Sequence, residues 1–306
     1  MPVSSYSIPD EAIAPGLYLV GTPIGNLADM TLRALQVLAQ ADRIACEDTR
    51  QTQKLLNHFE IKTPTVSCHQ HNEHARAAEL VEALRAGGRI ALVSDAGLPG
   101  ISDPGTWLVK AAVEAGVTVY PIPGANAALT ALIASGLATD EFLFLGFLPE
   151  KAGARRTRLE ELREELARPE RAVARTVIFY EAPHRIEETL ADLESVFGPE
   201  LKVCLARELT KLHEEFVRAT VSEARRDLAA RERVRGEFVL LMEAAAYSPA
   251  GEAAGQAHQT LAERVARLEA EEGVDEKEAL KRLARQMGQS KSDLYRELQR
   301  ERARRR

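Results

Sequence analysis

The chain has 306 residues, of which 45% are hydrophobic and 28% charged, and a net charge of −6. Those proportions describe an ordinary soluble protein long enough for two domains with real cores, and the charge excludes a basic footprint spread over the whole surface. Its three cysteines, Cys46, Cys68 and Cys204, are too far apart for a disulfide framework or a zinc pattern, so a reducing compartment, the cytoplasm, is expected.

The first sixteen residues, MPVSSYSIPDEAIAPG, carry no basic segment and no apolar segment of the kind a signal peptide needs. From there, apolar runs alternate with helical periodicities. Strands are predicted at Leu17–Gly21, Arg43–Cys46, Thr65–Cys68, Arg89–Ser94 and Val117–Pro121. Helices fall between and after them at Thr31–Ala39, Gln51–Phe59, Glu73–Ala86 and Trp107–Ala115. That rhythm implies a parallel sheet covered by helices, with ligands beyond the carboxyl ends of the strands.

Residues Val117 to Thr139 carry no charge, long enough to raise a membrane helix, but Pro121, Pro123, Gly124, Asn126 and Gly136 interrupt them. A strand, a turn and a buried helix at Ala127–Ser135 are expected instead, and no membrane partner. A second set of strands follows at Phe142–Phe147, Val177–Glu181, Val203–Arg207, Glu215–Thr220 and Glu237–Met242. The short connection Glu208–Glu214 suits an antiparallel pair, which makes that sheet mixed. Residues 247–259 read as an Ala/Gly-rich linker, and helical segments are expected near 260–272, 276–287 and 291–303.

Five strand ends carry Gly, Pro or charge. GTPIGNL (21–27) follows the first strand. It is neither a dinucleotide fingerprint nor a phosphate loop, and it serves equally as a tight turn. In EDTRQT (47–52), Asp48 or Thr49 can cap the next helix, which leaves Glu47 and Arg50 crowding the same end. CHQHNEH (68–74) holds three histidines without a partner ligand group, so no metal is expected. His71 and Asn72 can hydrogen-bond a polar substrate, and Asn72 can equally cap a helix. SDAGLPGISDPG (94–105) is stiffened by five Gly or Pro residues. Asp95 is expected to face a ligand and Asp103 to cap the following helix through Trp107. FYEAPHR (179–185) and RELTKLHEEF (207–216) add further charge. Together these loops suggest one cleft shared by two domains.

Residues 281–306 contain ten Lys/Arg and three Asp/Glu, a local balance of +7, which leaves −13 for the other 280. Leu280, Leu283, Ala284, Leu294 and Leu298 form an apolar seam across a helix, a Met-Gly turn and a helix whose start is capped by Ser290 and Asp293. The pair resembles a helix-turn-helix, with a packing or dimerisation hairpin as the alternative. With the charge, a grip on nucleic acid through Lys281, Arg282, Arg285, Lys291 and Arg296 is expected.

In their order, LVGTPIGNLADMTLRAL, EDTRQTQKLL, HNEH, LVSDAGLPGISDPG, PIPGANAALTAL, FLFLGFLPEKAGAR, FYEAPHR, RELTKLHEEF and RGEFVLLM resemble the rRNA branch of the tetrapyrrole methylase superfamily over roughly residues 16–245. EDTR and RELTK are the pieces peculiar to that branch. The resemblance implies an α/β fold of two α/β domains, 16–124 (parallel sheet) and 125–246 (mixed sheet). These follow an extension at 1–15 and precede a helical helix-turn-helix-like module at 260–306. It implies S-adenosylmethionine bound between the two domains, and 2′-O-methylation of a cytidine ribose in the decoding region of 16S rRNA, at rRNA position 1402. A cytoplasmic homodimer is implied too.

Carried over by residue, Pro23, Asp95, Ala96, Leu98, Ile101, Ala125, Asn126, Tyr180, Ala206 and Gly236 would hold the donor. Glu208 or Glu181 would take the proton, Lys211 and Arg207 would polarise the hydroxyl, and Glu47, Asp48, Arg50, His71, Asn72, His184 and Arg185 would hold the acceptor. The chain departs from the family's pattern at Leu98-Pro99-Gly100, at Ala125-Asn126 and at Cys68, where Thr-Pro-Leu, Pro-Ser and an aromatic are usual. Two rival readings are a methylase of small tetrapyrroles, which the basic module opposes, and a non-catalytic rRNA-binding assembly protein, which the loaded strand ends oppose. A methylation assay with a porphyrinoid and calorimetry with the donor separate them.

Overall fold

A computed structural model describes residues 11–69, 72–167, 175–244 and 276–287, together with Val265, Tyr295 and Leu298. The chain divides into two compact units, Met1–Ala246 and Tyr247–Arg306.

The first sheet of the larger unit is built from β1 (Gly16–Val20), β2 (Arg43–Cys46), β3 (Thr65–Ser67), β4 (Arg89–Val93) and β5 (Val119–Ile122). All pair in parallel, in the order β3-β2-β4-β1-β5. Its helices are α1 (Leu32–Gln40), α2 (Thr49–His58), α3 (Glu73–Arg85) and α4 (Thr106–Glu114).

The alternation of strand side chains sorts the core into two layers. Ala91 and Val93 of β4 pack with Leu35 and Leu38 of α1 and Leu56 of α2, whereas Ile90 and Leu92 pack with Leu80 and Leu84 of α3 and Leu108 of α4. From β2 the chain crosses to β3 on one side. From β4, the neighbour of β2, it crosses to β5 on the other. The crevice beyond the carboxyl ends of β2 and β4 is therefore a topological switch point, the place where such sheets bind ligands.

The fifth strand starts two residues later than its apolar run. The Val117 amide donates to the Ala112 carbonyl, 2.9 Å, which uses the run's first residues in the exit turn of α4.

The second sheet contains β6 (Phe142–Phe147), β7 (Arg175–Glu181), β8 (Lys202–Arg207), β9 (Glu215–Thr220) and β10 (Phe238–Ala244) in the order β6-β7-β10-β8-β9. Only β6 and β7 are parallel, so the sheet is mixed, and residues 208–214 join the antiparallel β8 and β9 as expected. Helix α5 (Ala127–Ser135) lays Ala128, Ala131 and Leu132 on one face against Ile178, Cys204 and Leu241. Helices α6 (Ala152–Leu166), α7 (Ile186–Phe197) and α8 (Val221–Ala229) cover the other. The uncharged stretch resolves into β5, a turn and the nine-residue α5, and no described helix is long and apolar enough to cross a membrane.

In the smaller unit, α9 (Glu276–Met287) places Ala279, Leu280 and Leu283 in one apolar cluster with Val265 and Leu298. Lys281 is exposed. The side chains of Arg282 and Arg285, and all of His71, Lys291 and Arg296, lie outside the described residues.

Candidate functional site

A cavity of about 430 Å³ opens between the two sheets of the larger unit. The loop after β4 supplies Ala96, Leu98, Ile101 and Asp103. The start of α5 supplies Asn126, the end of β7 Tyr180 and Glu181, and the turn after it His184. Ala206 and Leu209 come from β8 and its exit, Val239 from β10.

The loop after β4 is tied to the loop after β1. Thr22 and Gly97 exchange backbone hydrogen bonds, 2.9 and 3.1 Å, and the buried Thr22 hydroxyl donates to the Ser94 carbonyl, 3.1 Å. The wall is thereby preformed, which spares the ordering entropy of binding. Asn126 accepts from the Leu129 amide, 2.9 Å, and so caps the helix whose start faces the cavity.

A second cavity, about 640 Å³, lies beyond the switch point and is lined by Glu47, Glu73, His74, Asp103 and Trp107, among others. Ser102 and Asp103 border both cavities. Asp103 was expected to cap α4, and here the structure differs. Glu73, buried at the start of α3, reaches across and accepts from the amides of Gly105, 2.9 Å, and Trp107, 2.8 Å.

Asp103 is left on the cavity walls, half-buried. Burial first, then repulsion from Glu47, pushes its carboxyl up to about 6, the Ser94 hydroxyl opposing. Burial and the nearby Asp95 raise Glu47 as well. Asp103 is the carboxylate that sequence reasoning missed. Its raised pKa depends on neighbours 56 residues back in the chain, and only the Gly/Pro stiffness of its loop hinted at it. Removing Glu73's carboxylate by Glu73→Ala leaves two amides unsatisfied at the start of α4, and a loss of about 1–2 kcal/mol is expected in urea unfolding.

The other expected residues divide by place. Ala96, Leu98, Ile101, Asn126, Tyr180 and Ala206 line the first cavity, whereas Pro23, Asp95, Ala125 and Gly236 stand beside lining residues. Asp95 accepts a long hydrogen bond from the Asp48 amide, 3.4 Å. Glu181 reaches the cavity but is engaged by the Thr189 hydroxyl, 2.7 Å, the Ala182 amide, 2.8 Å, and Arg185, 3.1 Å. Arg185 also donates to the Leu148 carbonyl, 2.7 Å, so this pair knits β7 to α7.

Arg207 is held by Glu215, 2.8 Å. Lys211 bridges Glu208, 2.7 Å, and Glu237, 3.0 Å. These two carboxylates hold its ammonium protonated, and Lys211 in turn keeps Glu208 below the usual carboxylate range. The bridge is closely fitted. At Gly236, whose φ is +87°, a Cβ would strike Glu208, and at Gly25 a Cβ would strike Lys211. The Asn26 amide donates to the Thr210 hydroxyl, 3.1 Å, which joins the loop after β1 to that after β8.

Asp48 caps α2 through the Arg50 amide, 2.8 Å, and pairs with the Arg50 guanidinium, 2.9 Å, which holds its carboxyl at about 2. Arg50 itself projects into solvent. Asn72 makes no cap. Its side chain accepts from the His69 amide, 2.8 Å, and donates to the Ser67 carbonyl, 3.3 Å.

The first cavity suits S-adenosylmethionine. Its walls are mostly apolar, as an adenine requires. Of its acidic lining residues, Glu181 and Glu237 are paired with Arg185 and Lys211, and Asp103 is left to face a cationic sulfur.

Such a cleft, between a parallel and a mixed sheet, defines a methylase of the tetrapyrrole type. The family Tetrapyrrole (Corrin/Porphyrin) Methylases matches residues 16–225. The solved methyltransferase CobJ superposes with a TM-score of 0.53 at 19% identity, covering 74% of this chain and 93% of its own. A cobalt precorrin-4 methyltransferase gives 0.51 at 17%, covering 76% and 96%. Both show the same fold.

Curated relatives are more specific. Ribosomal RNA small subunit methyltransferase I of Halalkalibacterium halodurans is 48% identical over 279 residues, 91% of this chain and 93% of that protein. The protein of the same name from Synechocystis sp. is 56% identical over 208 residues, 68% and 72% of the two chains. The chain therefore belongs to the ribosomal RNA small subunit methyltransferase I family of the tetrapyrrole methylases, enzymes that use S-adenosylmethionine.

Proposed function

We propose that the chain methylates the ribose 2′-oxygen of a cytidine in the decoding region of 16S rRNA, within the small ribosomal subunit. The observation that carries this reading is Asp103 on the wall common to two cavities, one fitted to the donor and the other free for an acceptor nucleoside. The names of the curated relatives support rRNA as the substrate.

When bound, S-adenosylmethionine supplies a methyl group carried on a positively charged sulfur. The residues of this chain do the positioning. Ala96, Leu98, Ile101, Asn126, Tyr180 and Ala206 enclose the donor and exclude water, with Pro23, Asp95, Ala125 and Gly236 supporting the wall. The acceptor hydroxyl is a weak nucleophile, and Asp103, ionised near neutral pH and within reach of both cavities, takes its proton. The hydrogen bond from Asn26 to Thr210 holds the loop after β1 against that after β8, and the Lys211 bridge ties Glu208 to Glu237. His184, exposed on the lining of the first cavity, and the exposed Arg50 bind phosphate.

On this reading 16–124 and 125–246 act as two catalytic halves, 247–259 as a linker and 260–306 as an rRNA grip in a cytoplasmic homodimer. Deleting residues 255–306 is expected to weaken rRNA binding and flatten its salt dependence, read by filter binding between about 50 and 200 mM salt. An unchanged slope refutes the grip.

The test of the reaction uses small subunits lacking the modification, methyl-labelled S-adenosylmethionine and ribose-sensitive primer extension. Label on one cytidine 2′-oxygen is expected. Label on a base, or on a different rRNA, overturns the assignment.

A further inference from the structure

We propose that the second cavity is the nucleobase pocket of the acceptor, in which the base stacks on Trp107 and is selected as cytosine through Glu47. This rests on the reaction proposed above and names how its substrate is chosen.

Position comes first. The cavity lies beyond the switch point of the parallel sheet, where β2 delivers Glu47 and the loop after β4 delivers Asp103. It shares Ser102 and Asp103 with the donor cavity. A nucleoside whose 2′-hydroxyl reaches Asp103, with the donor in the first cavity, has this space left for its base. At about 640 Å³ the space holds a base taken out of the RNA stack, as chemistry at a buried centre requires.

The wall comes next. Trp107 is 47% exposed at the first turn of α4, on the lining of this cavity. Two contacts set its plane: the His74 ring, 4.0 Å away between centroids, and the exposed Lys110 ammonium, 5.3 Å from the ring centre. A preset, exposed aromatic at the mouth of a cavity is the platform on which unstacked bases are held.

Charge then decides which base. The ionisable lining residues are Glu47, Glu73, His74 and Asp103, with no lysine or arginine among them. Such a pocket repels phosphate, so the RNA backbone stays at the rim and the base edge enters. Glu73 is spent on the amides of Gly105 and Trp107, and Asp103 is shared with the donor side. Glu47 remains. A carboxylate accepts from the exocyclic amino group of cytosine, whereas uracil presents an oxygen at the same place.

The test compares small subunits carrying cytidine or uridine at the target, with the full-length chain. Wild type is expected to favour cytidine in kcat/KM by about 10–100-fold. Glu47→Gln, whose amide can donate to uracil, is expected to lower that ratio at least about tenfold, with donor affinity unchanged by calorimetry. Trp107→Ala is expected to raise KM for the subunit about tenfold with kcat little altered, and Trp107→Phe to restore it.

Trp107 is the single tryptophan of the chain, so its emission gives a reading without turnover. With S-adenosylhomocysteine present, and the Trp107→Phe protein as blank, cytidine subunits are expected to quench it more than uridine subunits. An unchanged cytidine-to-uridine ratio in Glu47→Gln, or bound subunits that leave Trp107 emission unaltered, overturns the pocket. If wild type labels no ribose at all, the reaction itself is wrong, a failure distinct from loss of selectivity alone.

Discussion

Asp103→Asn is expected to lower kcat about 10²–10⁴-fold, the usual worth of a positioned base, while S-adenosylmethionine still binds. Asn keeps the shape and the Ser94 contact but cannot accept the proton. The pH profile carries the sharper signature. Asp103 works ionised, and its carboxyl lies at about 6 because burial and the charges of Glu47 and Asp95 oppose ionisation while the Ser94 hydroxyl favours it. Activity should therefore rise through pH about 6 and level above it, and the residual activity of Asp103→Asn should lose that limb.

Stability moves in the opposite sense. A carboxyl raised from 3.8 to about 6 in the folded chain contributes stability that is full below pH 3.8 and lost as pH rises through about 6. At neutral pH the Asn chain should unfold at equal or higher urea than wild type. A variant with less activity and no less stability marks a functional carboxylate, because a structural one would lose both. Retained kcat in Asp103→Asn would remove Asp103 from the chemistry and return attention to Glu208 beside Lys211.

The largest stability effect is expected at Asp192. Arg155 and Asp192 are each 2% exposed at the side chain and meet at 2.7 Å between α6 and α7. Arg155 also reaches the Glu150 carbonyl, 3.3 Å, and Glu188, 3.1 Å, and Asp192 takes a second hydrogen bond from Arg156, 2.6 Å. Asp192→Ala strips the buried guanidinium of its buried partner and leaves Glu188, which is 68% exposed and screened by water. A loss of about 3–5 kcal/mol is expected in urea unfolding. Replacing both residues by leucine should recover most of it, because paired desolvation is itself costly. Neither residue lines either cavity, so donor affinity should survive wherever the chain is folded. A cost below about 1 kcal/mol for Asp192→Ala would mean that water reaches Arg155.

Much of the fold was legible because burial on both faces of a sheet leaves a continuous apolar run. Helix α5 and strands β6 and β9 lie at the predicted bounds, and the predicted helix at 276–287 is α9. The segments predicted near 260–272 and 291–303 lie outside the described residues, apart from Val265, Tyr295 and Leu298. Helices α6, α7 and α8 were not predicted, and α6 shows why. Its sequence is dense in Arg and Glu, and one of its buried positions is Arg155, which only the facing Asp192 makes tolerable.

The amino-acid sequence by itself determined the order of the strands and of the helices through α5, the loading of strand ends with Gly, Pro and charge, and the motifs that mark the family. All of these are local, set by propensity and by short-range periodicity. Which carboxylate serves which purpose was decided only by the tertiary structure. Glu73, Asp103 and Glu181 look interchangeable along the chain. Folding turns the first onto helix amides, the second onto two cavities and the third onto Arg185 and Thr189. The role of an ionisable group depends on its neighbours in space, because desolvation and Coulomb interactions act over a few ångströms regardless of how far apart the residues stand in the chain.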